Sequence, residues 1–254
     1  MNRNRNIRTV EDVMELLDGL YAPGADGGTA GAAHRWDGFY GDRSRDVPFF
    51  VAKPDENLAA HVGNGTLRPG RALDLGCGPG RNALFLASRG WRVDAVDLSP
   101  EAIRWAEERA RGTGAEVGFR CADAFAAPER DAGAPEGPYD LVYDSGCFHH
   151  LPPHRRVGHL ALLDRVLAPG GHFALVCFAA GAMGSELPDA AHYRGPAPHG
   201  GLGYTADELR WIFAGLEEVE LRRMTDEPPA SPHFGEPFLW TALFRRPRTA
   251  PARP

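Results

Sequence analysis

The spacing of apolar positions changes near residue 70. Before it, "TVEDVMELLDGLY" carries Val10, Val13, Leu17 and Leu20 at helical intervals, with Thr9 three residues ahead of Asp12, close to a capping box. An amphipathic helix is predicted there. The breaker-rich "APGADGGTAGAA" predicts a flexible connection, or a loop ordered only by a ligand. An aromatic segment, "HRWDGFYGDRSRDVPFF", comes next, then a helix from Pro54 to about Gly63. From Arg71 onward, short apolar strands alternate with helical runs. "RALDL" is followed by the helix "RNALFLASR", stopped by Gly90. "WRVDAVDL" precedes a helix capped by Ser99 and Pro100. "AEVGFRCAD" and "YDLVYDSG" are the third and fourth strands. "PHRRVGHLALLDRVLA" is a helix ended by "PGG", before the fifth strand "HFALVCF".

This alternation implies a parallel sheet wound on both faces. The last two strands, "EEVELRRM" and "FLWTALFRR", have no helix between them and are expected to pair antiparallel. "TADELRWIFAGL", capped by Thr205 with Glu208 three residues on, precedes them. The expected fold class is α/β: a Rossmann-like, doubly wound sheet of seven strands, mostly parallel with an antiparallel last strand, plus an N-terminal helical cap. Residues 1–65 would form the cap and 66–246 the Rossmann-like domain. A lid insertion is expected at 179–204 and a disordered tail at 247–254.

The 254 residues carry a formal net charge of −6, which argues against a general nucleic-acid or anionic-membrane binder. Cys77, Cys121, Cys147 and Cys177 form no C-x-x-C pair, so free thiols in a reducing compartment are expected. No apolar stretch reaches the roughly 18 residues that span a bilayer. The N-terminus is polar and lacks the core of a signal peptide. A cytoplasmic protein is expected.

A ligand of such a sheet binds outside the carboxyl ends of the strands, where strand order reverses. The loop after the first strand lies there. Gly76, Gly78 and Gly80 permit a tight turn and close backbone approach, and the following helix offers free N–H groups near Arg81 and Asn82. A dinucleotide fingerprint, G-x-G-x-x-G, would need a glycine where Arg81 stands, which counts against a nicotinamide or flavin cofactor.

Asp74, Gly76, Gly78 and Gly80 instead resemble motif I of the class I S-adenosylmethionine-dependent methyltransferases, D/E-x-G-x-G-x-G. The resemblance implies S-adenosyl-L-methionine as cofactor and S-adenosyl-L-homocysteine as product. It implies that Asp97, 17 residues after Gly80, accepts hydrogen bonds from both ribose hydroxyls, with Leu98 beside it. Asp123 would receive the adenine amino group and Ala124 would offer a backbone N–H to the ring. "GCGPGRNALFLASRGWRVDAVDLS" and "DSGCFHHLPPHRR" also resemble the tellurite-resistance and thiopurine methyltransferase group, with Asp144, Gly146, Pro153 and Arg156 on matching positions. Ser145 replaces an arginine found in some members. The resemblance covers about residues 36 to 178, and Asp144 and Trp36 complete the cofactor-binding set it implies.

Trp36 and Tyr40 are four apart, on one face if their segment is helical, and either cover cofactor and substrate or pack the added helix onto the core. His149 and His150 follow the fourth strand and are the candidate catalytic base, with substrate binding or local packing as alternatives. Arg156 would hold an anionic substrate group or lie on a solvated helix face. The three neighbouring histidines, His149, His150 and His154, have no carboxylate cluster beside them, so no metal is expected. The lid carries His192, Tyr193, Arg194, His199 and Tyr204, and His192 and Tyr204 join Tyr40 and Arg156 as candidate substrate contacts. The expected activity is methyl transfer to a sulfur, oxygen or nitrogen of a small molecule, in secondary metabolism or detoxification. Two alternatives stand beside it: non-methylating chemistry with the same cofactor (decarboxylation, hydroxylation or cyclisation), and a non-catalytic cofactor-binding protein.

Overall fold

Short apolar runs buried on both faces form the central strands, while Val117–Cys121 and the Glu- and Arg-rich Glu217–Arg223 lie at the more exposed edges. The strands are β1 (Arg71–Leu75), β2 (Arg92–Asp97), β3 (Val117–Cys121), β4 (Tyr139–Ser145), β5 (Leu167–Phe178), β6 (Glu217–Arg223) and β7 (Leu239–Arg245). The structure is a computed structural model, and it describes residues 7–21, 28–126, 131–195 and 200–248. The sheet order is β3-β2-β1-β4-β5-β7-β6. β1 to β5 run parallel, while β7 pairs antiparallel with both β5 and β6. Alternate residues feed two apolar cores. Leu73, Leu75 and Val142 pack with Phe173, Phe213 and Phe244, whereas Ala72, Leu141 and Tyr143 pack with Leu58, Leu86 and Trp91.

The helices are α1 (Val10–Tyr21), α2 (Gly28–Gly41), α3 (Glu56–Gly63), α4 (Arg81–Ser88), α5 (Pro100–Thr113), α6 (Arg156–Val166) and α7 (Ala206–Ile212). Their ends follow the capping chemistry. Asp12 N donates to Thr9 Oγ1 while Thr9 N donates to Asp12 Oδ2. Ser99 Oγ accepts from Ala102 N, and Thr205 and Glu208 close a full capping box on α7. β1 pairs with β2 on one side and β4 on the other, so strand order reverses at β1 and a crevice opens at its carboxyl end.

Two expectations need correction. Residues 28–33 of the breaker-rich connection are the first turns of α2, continuous with the aromatic segment. Its alanines favour helix, and contacts of Trp36, Asp37 and Tyr40 with the core stabilise a segment that would be marginal alone. The "PGG" at 169–171 does not precede the fifth strand but lies within β5, which starts at Leu167. The ladder absorbs it through a register shift between Tyr139 and Leu141, with Gly170 at φ +79°. The segment at 179–204, expected as a lid insertion, has its ends joined by bridges between Ala179 and Tyr204 and between Ser185 and Leu202.

Candidate functional site

The turn from β1 to α4 is built from backbone that only glycine adopts readily. Gly76, Gly78 and Gly80 have φ of +65°, +50° and +77°. Crowding reinforces the requirement at two of them. A Cβ on Gly76 would stand 2.8 Å from Cys147 Cβ, and one on Gly78 would stand 2.8 Å from Tyr40 Oη. Asp97, at the end of β2 and 8% exposed, holds the turn from outside. Its Oδ2 accepts from Gly78 N at 2.9 Å and its Oδ1 from Ser99 N at 2.8 Å. Burial pushes its carboxyl up while these N–H groups pull it down. Each oxygen has used one of its lone-pair directions, so the carboxylate can still accept two further donors.

α2 lies across this turn because Asp37 caps α5 from outside its own helix. Asp37 Oδ1 accepts from Ser99 Oγ at 3.1 Å and from Glu101 N at 2.9 Å. The same docking sets Trp36 and Tyr40 over the crevice, with ring centroids 6.0 Å apart. Trp36 meets His150 edge to face at 4.7 Å, and Tyr40 is buried with its hydroxyl at Gly78.

The turn Phe148–His150 after β4 forms the facing wall. Asp144 Oδ1 accepts from Cys147 N and Phe148 N, and Asp144 Oδ2 lies 3.0 Å from His159 Nε2. His149, 3% exposed, stacks on Phe178 at a centroid distance of 3.6 Å. Burial pushes both imidazoles toward the neutral form: His149 well below its ordinary value, and His150 down to about 4, helped by the nearby Arg35 cation. Neutral imidazoles are proton acceptors at physiological pH.

At the outer edge, side chains from four elements interlock. Arg156 forms a bidentate ion pair with Asp189 at 2.8 and 2.9 Å, and its Nε donates to Tyr204 Oη. His192 Nε2 lies 3.1 Å from Leu187 O. Asp18 of α1 receives Arg155 and lies 2.8 Å from His154 Nε2, while His154 Nδ1 lies 2.9 Å from Tyr193 Oη. Tyr21 packs against His192 and Tyr193. Among the described residues no group of His, Cys, Asp and Glu could hold a metal ion. Nor is any helix among them long and apolar enough to cross a membrane. His199 lies outside the described residues.

This geometry can be set beside known proteins. A family model described as "Methyltransferase domain" matches residues 72–171. A 2-heptyl-1-hydroxyquinolin-4(1H)-one methyltransferase of Mycobacteroides abscessus is 28% identical over 145 residues, 57% of this chain and 61% of that protein. A structure solved for the conversion of a disulfide bond into a thioacetal group during echinomycin biosynthesis matches with a TM-score of 0.63 at 27% identity, covering 85% of this chain and 94% of that one. The Burkholderia thailandensis 1,6-didemethyltoxoflavin-N1-methyltransferase, with 1,6-didemethyltoxoflavin and S-adenosylhomocysteine bound, shares the fold: TM-score 0.56, 21% identity, 97% and 93% coverage.

The chain carries a methyltransferase domain over residues 72–171, a span that includes the glycine turn, Asp97 and Asp144. It spans about half to three fifths of the length of the curated relatives it matches.

Within this structure the residues expected from sequence fall into separate groups. Gly76, Gly78, Gly80, Asp97 and the neighbouring Leu98 come together at the crevice with Trp36 and Tyr40. Asp123 Oδ1 accepts from Phe125 N, and Ala124 is buried beside it. Asp74 is buried beneath the turn, and burial raises its carboxyl to about 7. Arg81 and Asn82 engage Asp55, Arg81 by an ion pair at 2.5 Å and Asn82 by two hydrogen bonds near 3 Å, and Arg81 also donates to Ser145 Oγ at 3.2 Å. Asp144 is fully buried under the histidine turn. Arg156, His192 and Tyr204 hold the lid. Asp37 and Asp55 were not singled out in the sequence. Asp37 lies inside the quoted "WDGFY", and its only local signal was a short acid on an expected helix face; Asp55 precedes a predicted helix and reads as an ordinary cap.

Proposed function

We propose that this chain methylates a sulfur, oxygen or nitrogen atom of a small molecule, using His149 or His150 to take the proton that the nucleophile loses. The observation that carries the reading is the pair of buried, neutral imidazoles beside Trp36, across the crevice from the glycine turn. The turn fits the family's cofactor: bare glycine backbone lines it, and Asp97 keeps acceptor capacity suited to a vicinal diol. Gly76, Gly78 and Gly80 would pass the methionine part, Asp97 the ribose, and Asp123 with Ala124 the adenine. When bound, S-adenosylmethionine supplies an activated methyl on a sulfonium. The acceptor atom would bond to that methyl carbon as the sulfur–methyl bond breaks, its electron pair staying on sulfur.

The protein's part is alignment, exclusion of water and removal of one proton. Trp36 and Tyr40 close the crevice over the cofactor and face a sulfonium with aromatic rings. An imidazole nitrogen of the His149–His150 pair accepts the proton from a thiol, hydroxyl or N–H and passes it to solvent. Residues before 66 act as the cap on this domain, and a reducing, cytoplasmic setting suits the four free cysteines.

The test is release of S-adenosylhomocysteine from the purified protein with a panel of thiophenols, naphthols and aromatic amines, read by mass spectrometry. His150→Ala is expected to lower turnover of the best acceptor by about 100-fold while leaving cofactor affinity within about twofold. Undiminished turnover in both His150→Ala and His149→Ala would remove the proposed base.

A further inference from the structure

The segment at 179–204 meets the histidine turn at Gly201 and Leu202. Gly201 has φ of +113°, a conformation L side chains rarely adopt. A Cβ there would stand 2.6 Å from His149 O, 3.1 Å from His150 Nδ1 and 3.2 Å from His149 Cδ2. Leu202 N donates to His149 O at 2.7 Å, so the same carbonyl that leaves no room for a side chain is also the one the segment grips. The strap is itself held: Ser185 N donates to Gly201 O, Gly203 N to Ser185 O, Tyr204 N to Phe178 O and Ala180 N to Tyr204 O. Trp240 Nε1 adds a bond to Tyr204 O at 2.7 Å.

His149 is therefore fixed by separate groups. Phe178 lies against its ring, Asp144 holds the start of its turn, and Gly201 with Leu202 bears on its carbonyl and its Cδ2 edge. Gly201 also packs beside His150 Nδ1, which no backbone bond constrains.

We propose that Gly201 is a positioning residue for the histidine pair, its bare backbone setting where the two imidazoles stand in the crevice. The proposal rests on the reading of His149 and His150 as proton acceptors. Gly201 touches neither reactant in this scheme; it acts through the rings. An alanine at 201 must displace backbone and not merely a flexible side-chain end, so the histidine turn moves. Displacements of this order at a reacting group change rates by about 100-fold.

The experiment needs no acceptor. Protein labelled in its histidine rings and saturated with S-adenosylhomocysteine is titrated by NMR from pH 4 to 8, with His149→Ala and His150→Ala assigning the signals. In the native chain neither ring titrates near pH 6.5. In Gly201→Ala both ring signals shift, and the proton affinity of at least one rises tenfold or more. Gly195→Ala, on the same segment with nothing within 4 Å of its added Cβ, leaves them unchanged. Ser185→Pro, which deletes the N–H bonded to Gly201 O, reports on the same contact should Gly201→Ala not fold. Native ring signals in a folded Gly201→Ala protein, or in Ser185→Pro where that serves instead, would overturn the positioning role. Failure of the reading beneath it would show separately, as undiminished turnover in the histidine variants.

Discussion

Asp74 takes up a proton on folding at pH values between 3.8 and about 7, because burial disfavours its charged form and outweighs the pull of Arg81. A carboxyl whose folded value is raised stabilises the fold most at low pH, and that stability drains away as pH rises through about 7. Asp74→Asn removes the titration. It is expected to raise Tm at pH 8 and to leave it near the native value at pH 5, a comparison that calorimetry of the two proteins makes directly. No such shift was legible in the residues themselves. The pattern D-x-G-x-G-x-G marked the position, but the carboxyl's state depends on how deeply the turn buries it and on Asp55 and Asp144, far away in sequence. The same holds for Arg81 and Asn82. Their place at the start of α4 was readable, whereas their engagement with Asp55 required the N-terminal segment to fold back across the turn.

At the level of elements, α1 is attached to the rest of the molecule through the Asp18 carboxylate and the Tyr21 ring rather than along an apolar stripe. Asp18 is 6% exposed and bonded to Arg155 and His154, while Val10, Leu16 and Leu20 remain exposed. Asp18→Ala leaves two polar partners without their acceptor and is expected to cost about 3 kcal/mol in urea unfolding, with α1 the first segment cut by limited proteolysis. Retention of native stability and protection would show that the latch contributes little. Asp18 is held below its ordinary value by His154 and Arg155, against the opposing effect of burial. The latch's contribution is therefore present above pH 3.8 and is lost as pH falls through the lower folded value. The helix itself was readable from its period and its Thr9–Asp12 start. Its docking was not, since the apolar residues that announced it are partly the ones left outside. α2 was missed in its first turns for a related reason: glycine-rich sequence suggested a loop, and Asp37 and the aromatic rings, through long-range contacts, hold it as a helix.

At the scale of the whole molecule, the doubly wound sheet follows from strand–helix alternation, and the antiparallel β7 follows from the missing crossover between the last two strands. The crevice position then follows from the reversal of order at β1. What alternation could not supply is the cover. The cap, the histidine turn and the lid meet through Trp36 on His150, Gly201 on His149 and Tyr193 on His154, contacts between segments scattered from the first helix to residue 204. These contacts join residues far apart in sequence, so they are the part of the crevice least written in local sequence. The most direct test concerns the crevice itself: calorimetric titration of the native chain and of Asp97→Ala with S-adenosylmethionine and S-adenosylhomocysteine. Micromolar binding to the native chain, weakened at least 100-fold in the variant, is the predicted result. Equal binding to both proteins would contradict the ribose contact, and no binding to the native chain would contradict the assignment of the glycine turn as the cofactor site.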